Sequence, residues 1–218
     1  MFSQAMPSSI GGDAYRVITL SKQGHTKLNS FYGVLIDRIM GFLGLIIVIF
    51  FGLIISKSIL PTDLFQGIII LLTFSFLAVF GVFIFRKLPL PKHKTINWLT
   101  ELSIQFQKTL NRFDKWYPQI LLSILIYIFA IATMYFIALS VGLEQPFYLF
   151  VLFVPISLLL TMIPISFAGW GLRETGMVVM FSLVGVPKET ILIVSILFGL
   201  SLIIVSLPSG YLFLKNKL

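Results

Sequence analysis

Two short segments hold the residue types that could do polar chemistry in an otherwise apolar chain. They are Met6 to Arg16 (MPSSIGGDAYR) and Ile163 to Arg173 (IPISFAGWGLR). A shift of 157 residues lays one over the other without a gap, so that Pro7 meets Pro164, Ser9 meets Ser166, Gly12 meets Gly169 and Arg16 meets Arg173. The small residues Gly11 and Ala14 face Ala168 and Gly171. Arginine is a planar, permanently charged fork that can hold two phosphate oxygens at once, and lysine cannot do the same. Proline lacks a backbone donor and glycine opens backbone angles closed to other residues, so each segment is predicted to interrupt a helix within or near a membrane. A freed helix start carries partial positive charge suited to phosphate, and Ser9 or Ser166 can cap it. The candidate phosphate-binding set is therefore Arg16, Arg173, Gly12, Gly169, Gly171, Ser9 and Ser166.

Four charged residues accompany this set as candidate partners: Asp13, Glu174, Asp37 and Arg38. Neighbours on a helix point to different faces, so Glu174 is expected to find its cation in Arg16 or Arg38 rather than in Arg173. Asp37 beside Arg38 reads equally well as a marker of the cytoplasmic interface. An arginine at membrane depth costs roughly 3 kcal/mol or more unless paired or watered, which suggests a use for both copies. The alternative is that both arginines lie at the interface and snorkel to headgroups.

The elements that position these residues follow from composition. Of 218 residues 58% are hydrophobic and 11% charged, whereas a soluble domain carries about 25% charged residues. At least five apolar runs approach the roughly 20 residues that match a bilayer core. The spans are expected at 31–56, 64–85, 117–143, 147–163 with Pro155 in its middle, and 190–214. The piece 177–184 is too short to cross alone. Between the second and third spans, the stretch from Arg86 to Lys115 carries seven basic and two acidic residues. Within it Leu99, Leu102, Phe106, Leu110 and Phe113 recur every three or four positions, the pattern of an amphipathic helix. Such a helix is expected flat on the membrane surface, or else packed on a partner domain.

Sixteen Lys and Arg stand against eight Asp and Glu, a net charge of +8. The excess sits in short loops, as the positive-inside rule expects, and no nucleic-acid pattern accompanies it. Loop 86–115 is therefore expected to be cytoplasmic, in a multi-pass protein of the plasma membrane. Cysteine is absent, and neither His25 nor His93 has a second ligand at metal spacing, so no metal and no cofactor is expected.

The shift of 157 also lays Leu35 to Val48 over Leu192 to Val205, with eight of fourteen positions identical. Those matches keep the register of the polar segments, and the chain reads as an internal repeat of the kind found in transporters. The expected fold class is an all-α integral membrane protein. It has about five spanning helices, broken or re-entrant helices in two repeated units, and one amphipathic interfacial helix. A single membrane domain over 1–218 holds repeat unit one at 6–56, linking spans at 57–162 and repeat unit two at 163–214. Whether the two units are parallel or inverted stays open.

The pairing of P-S-S-I-G-G-D-A-Y-R with P-I-S-F-A-G-W-G-L-R-E, with L-V-G-V-P before the last span and L-P-S-G near its end, resembles a flippase-like family. That family is related to the transmembrane region of lysylphosphatidylglycerol synthase. The resemblance implies a lipid flippase or transporter whose partner is a membrane phospholipid or a polyprenyl-phosphate-type lipid. It places headgroup handling at Pro7, Gly12, Asp13 and Arg16 and at Ser166, Gly169, Gly171, Arg173 and Glu174. Asp13 stands where many members carry Glu, which keeps the charge and shortens its reach. Members are usually longer before the first motif, so the chain reads as N-terminally truncated or as a short member. The residue patterns of a membrane phosphatase or phosphotransferase are missing, and an enzyme is not expected. The rival reading is a non-catalytic accessory subunit of a membrane glycosyltransferase or synthase.

Overall fold

The structure, a computed structural model, describes residues 10–24, 26–56, 60–85, 94–162 and 170–215. Ser9, Ser166 and Gly169 of the candidate set lie outside the described residues, as do Pro7, Pro164 and both histidines. The described residues form α1 (Ile10–Lys22), α2 (Lys27–Ser56), α3 (Thr62–Ile84), α4 (Lys94–Leu110), α5 (Phe113–Ser140), α6 (Phe147–Thr161), α7 (Leu172–Ser182) and α8 (Lys188–Lys215), with no strand among them.

Helix is what hydrocarbon dictates, because a backbone without water must satisfy its own polar groups. Four helical stretches are long and apolar enough to cross a membrane: α2, α3, α5 and Lys188–Pro208 of α8. At 1.5 Å per residue α3, the shortest of the three complete helices, runs about 35 Å, more than a core of about 30 Å. The protein is a multi-pass membrane protein. The expected fourth crossing, α6, has 15 residues and reaches only about 22 Å. Pro61 and Pro146 stand immediately before α3 and α6, where the missing N–H is not needed. Phe74, Phe129 and Val205 stand outward and largely exposed, as side chains that face lipid do.

Contacts divide the chain into two compact units, residues 20–127 and residues 1–19 with 128–218. In the first, Tyr32, Ile36 and Met40 of α2 form a buried cluster with Leu102 and Phe106 of α4. The amphipathic helix exists, but its apolar face is covered by protein rather than by lipid. Gln107 Nε2 and Ser103 Oγ both donate to the carbonyl of Phe83, at 2.7 and 3.3 Å. That carbonyl is one of the last four of α3 and lacks an intrahelical partner, so α4 caps α3 while packing on it. Gly44 lets α2 approach α5 closely, since a Cβ there would lie 2.7 Å from the Ser123 Cβ.

In the second unit α6 and α7 form an antiparallel pair. Phe181 near the end of α7 packs on Phe150 and Phe153, with ring centroids 4.9 and 5.2 Å apart. Gly176 lies against Ser157 and Leu160, where an added Cβ would stand 2.9 Å from the Leu160 Cδ1. Residues 149–150 and 152–157 of α6 are all buried, so this helix is apolar all round because protein surrounds it. The turn after α7 is closed by Gly185, which has φ +79°; the amides of Gly185 and Val186 return to the carbonyls of Ser182 and Phe181. This pattern closes a helix with glycine because other residues resist positive φ.

The two segments related by the 157-residue shift each carry their arginine on a short helix, followed by a turn with a positive-φ glycine (Gly24 or Gly185) and a long apolar helix. The equivalence is loose: α8 begins 161 residues after α2, not 157.

Candidate functional site

The second motif becomes a site through one glycine. Gly171 has φ +86° and ψ −49°, a conformation that L side chains rarely adopt, and it sits immediately before α7. The turn places Arg173 and Glu174 in the first turn of α7, where four backbone N–H groups lack intrahelical partners. Glu174 reaches back and accepts from the Gly171 N–H through Oε2 at 2.5 Å, which satisfies one of them and sets a carboxylate at the positive helix end.

The first copy is built differently. Its position equivalent to Gly171 is Ala14, inside α1. Gly12, expected to form a turn, also lies within α1. That expectation is corrected: alanine resists the positive φ that breaks the chain at Gly171, and helix continues through Arg16.

Glu174 was expected to pair with Arg16 or Arg38, and this too is corrected. Its cation is Arg173, whose Nη2 donates to Glu174 Oε1 at 2.5 Å. Adjacent positions do diverge along a regular helix, but at a helix start no preceding turn separates them. The long arginine folds back over the same end toward which Glu174 reaches. Both residues are buried, at 5% and 8% relative exposure, so Arg173 does not snorkel out of the protein.

Ser195 of α8 joins the pair. Its Oγ accepts from Arg173 Nε at 3.1 Å and stands 3.4 Å from Glu174 Oε1, to which it donates. The guanidinium carbon lies 5.3 Å from the Trp170 ring and 5.4 Å from that of Phe198, a cation–π flank on two sides. Gly199 leaves the room for this, since a Cβ there would fall 2.6 Å from Arg173 Nη2 and 2.8 Å from the Trp170 ring. The site is a charge pair and a hydroxyl inside aromatic walls, with α7 and α8 held together by polar bonds across an apolar interface.

Sequence reasoning missed Ser195, Trp170 and Gly199. A signal was present: Ser195, Phe198 and Gly199 share one face of a span, and small or polar residues on such a face mark close helix approach in membranes.

Of the remaining candidates, Asp13 and Arg16 lie three residues apart on α1, where Arg16 is exposed. Asp37 and Arg38 lie on α2, in the other unit, exposed and half-buried. Each of these four has interactions of its own. Under the 157-residue shift Ser195 corresponds to Arg38 and Trp170 to Asp13, so the two copies place different chemistry at equivalent positions. Among the described residues no group of three His, Cys, Asp or Glu could hold a metal ion.

The family model described as "Lysylphosphatidylglycerol synthase TM region" matches residues 1–210. No curated protein and no solved structure matches the chain.

Proposed function

The chain belongs to the family of the lysylphosphatidylglycerol synthase transmembrane region, and from that premise we propose that it is a lipid flippase or lipid transporter. It binds the anionic phosphate headgroup of a phospholipid or polyprenyl-phosphate-type lipid and moves it without covalent chemistry. The protein resides in the plasma membrane with loop 86–115 on the cytoplasmic side, as the seven basic residues of that loop favour.

The observation that carries this reading is the buried cluster of Arg173, Glu174 and Ser195 at the start of α7, a helix of 11 residues set against the short apolar helix α6. Helices that stop inside a membrane protein and turn their N-termini toward polar groups are the usual sites of transporters. Charged side chains within membrane-spanning regions are costly, face the protein interior and mark substrate pathways, and Arg173 and Glu174 are buried in this way. Arg16, at the equivalent place in the first copy, supplies the second cation of the proposed headgroup site.

The test is lipid movement by the full chain in liposomes. Fluorescent phosphatidylglycerol should become accessible to an impermeant quencher faster than in empty liposomes, and Arg173→Ala should remove the difference. Arg173→Lys should rescue only in part, because a lysine keeps the charge and loses the fork. Movement no faster than in empty liposomes, together with stoichiometric recovery of a membrane glycosyltransferase or synthase, would assign the chain as an accessory subunit instead.

A further inference from the structure

Three donors converge on the Glu174 carboxylate. The Gly171 N–H meets Oε2, while Arg173 Nη2 and the Ser195 hydroxyl meet Oε1. They come from two elements, the start of α7 and the first third of α8. A backbone amide at a helix start, a guanidinium and a hydroxyl make a cradle for any tetrahedral or planar oxyanion. In this structure the oxyanion is the protein's own.

We propose that Glu174 is a tethered counter-anion that fills the cradle of Arg173, Ser195 and Gly171 when no lipid is bound, and that a lipid phosphate enters by exchange with it. This deepens the headgroup reading and rests on it.

Charge and space both favour exchange over simple addition. Arg173 is 5% exposed between Trp170, Phe198 and Gly199, so a phosphate cannot be added beside the carboxylate without displacing something. A buried arginine left without an anion is strongly unfavourable, and exchange keeps it paired at every stage. Glu174 has a place to remain: Oε2 can keep the Gly171 amide at the positive end of α7 while Oε1 gives up the other two donors. The same carboxylate then returns to the cradle and expels the phosphate, which release at the end of a transport cycle requires.

Exchange predicts that a weaker internal anion makes a tighter site. Glutamine at 174 keeps the shape but has one acceptor oxygen and no charge, so it competes poorly for Arg173. A purely structural clasp predicts no gain. The experiment is equilibrium binding of dihexanoyl-phosphatidylglycerol, with inorganic phosphate in a parallel arm, to the purified full chain. Glu174→Gln should bind the short-chain lipid at least five-fold tighter than the unaltered protein. A gain with the lipid alone marks a headgroup read together with its glycerol, and a gain with both probes marks recognition of the phosphate itself.

Where Glu174→Gln does not fold, Glu174→Asp serves in its place. Its shorter side chain cannot span Gly171 and Arg173 together, and the same five-fold gain is expected. Equal or weaker binding by the folded variant, beside measurable binding by the unaltered protein, overturns the exchange and leaves the headgroup reading standing. Absence of binding by the unaltered protein and the variants alike overturns both.

Discussion

The guanidinium of Arg173 occupies the space that the missing side chain of Gly199 leaves on α8, with Nη2 2.6 Å from where a Cβ would be. Two atoms of the Trp170 ring lie at 2.8 and 2.9 Å from the same point. Gly199→Ala should therefore push Arg173 and Trp170 off their seats. Overpacking of this kind costs about 1–3 kcal/mol, read as a lower melting temperature in detergent. A melting curve equal to that of the unaltered protein would show that the two helices separate freely at this point.

Removing Glu174 alone should be worse than removing the whole pair. Glu174→Ala leaves a buried guanidinium without its anion, an error of about 3–5 kcal/mol, whereas an apolar pair of similar volume is often neutral. Arg173→Met with Glu174→Met should thus melt higher than Glu174→Ala, while losing lipid movement. The reverse order of melting temperatures would mean that the pair is not electrostatically buried.

Gly171→Ala forces an L side chain into φ +86°. The strain is about 1–3 kcal/mol, and it falls at the junction that lets α7 start. Hydrogen exchange should quicken at the amides of Leu172 to Thr175, with little change in α2 and α4. Uniform exchange throughout would reject a local hinge.

Phe106 is 1% exposed in the cluster between α2 and α4, and Lys108 two positions on is exposed. Phe106→Ala should destabilise by about 3–5 kcal/mol, and Lys108→Ala should change stability by no more than about 0.5 kcal/mol. A helix whose apolar face met lipid instead would tolerate both.

The chain has no cysteine, so a single one placed at exposed Asn111 between α4 and α5 reports sidedness directly. In intact cells it should resist an impermeant thiol reagent and react after permeabilisation. Labelling without permeabilisation would invert the proposed orientation.

The membrane class and most helices were legible in residue order alone. Hydrocarbon imposes one backbone solution, and the length of an apolar run then sets whether a helix can cross. That is why the expected spans 31–56, 64–85 and 117–143 fall within a few residues of α2, α3 and α5. The family motif was legible too, because Pro, Gly and Arg at fixed spacing stand out against Leu, Ile and Phe. What covers the apolar face of α4 was not legible, since periodicity reports that a face is apolar and not whether lipid or protein meets it. Nor was the partner of Glu174. Spacing rules hold inside a regular helix, and Glu174 sits at a helix start whose geometry depends on Gly171 taking positive φ, which Ala14 at the position shifted by 157 resists. Tertiary structure alone brought Ser195 and Gly199 to Arg173, because they lie more than twenty residues away on another helix and meet it only when α7 packs on α8.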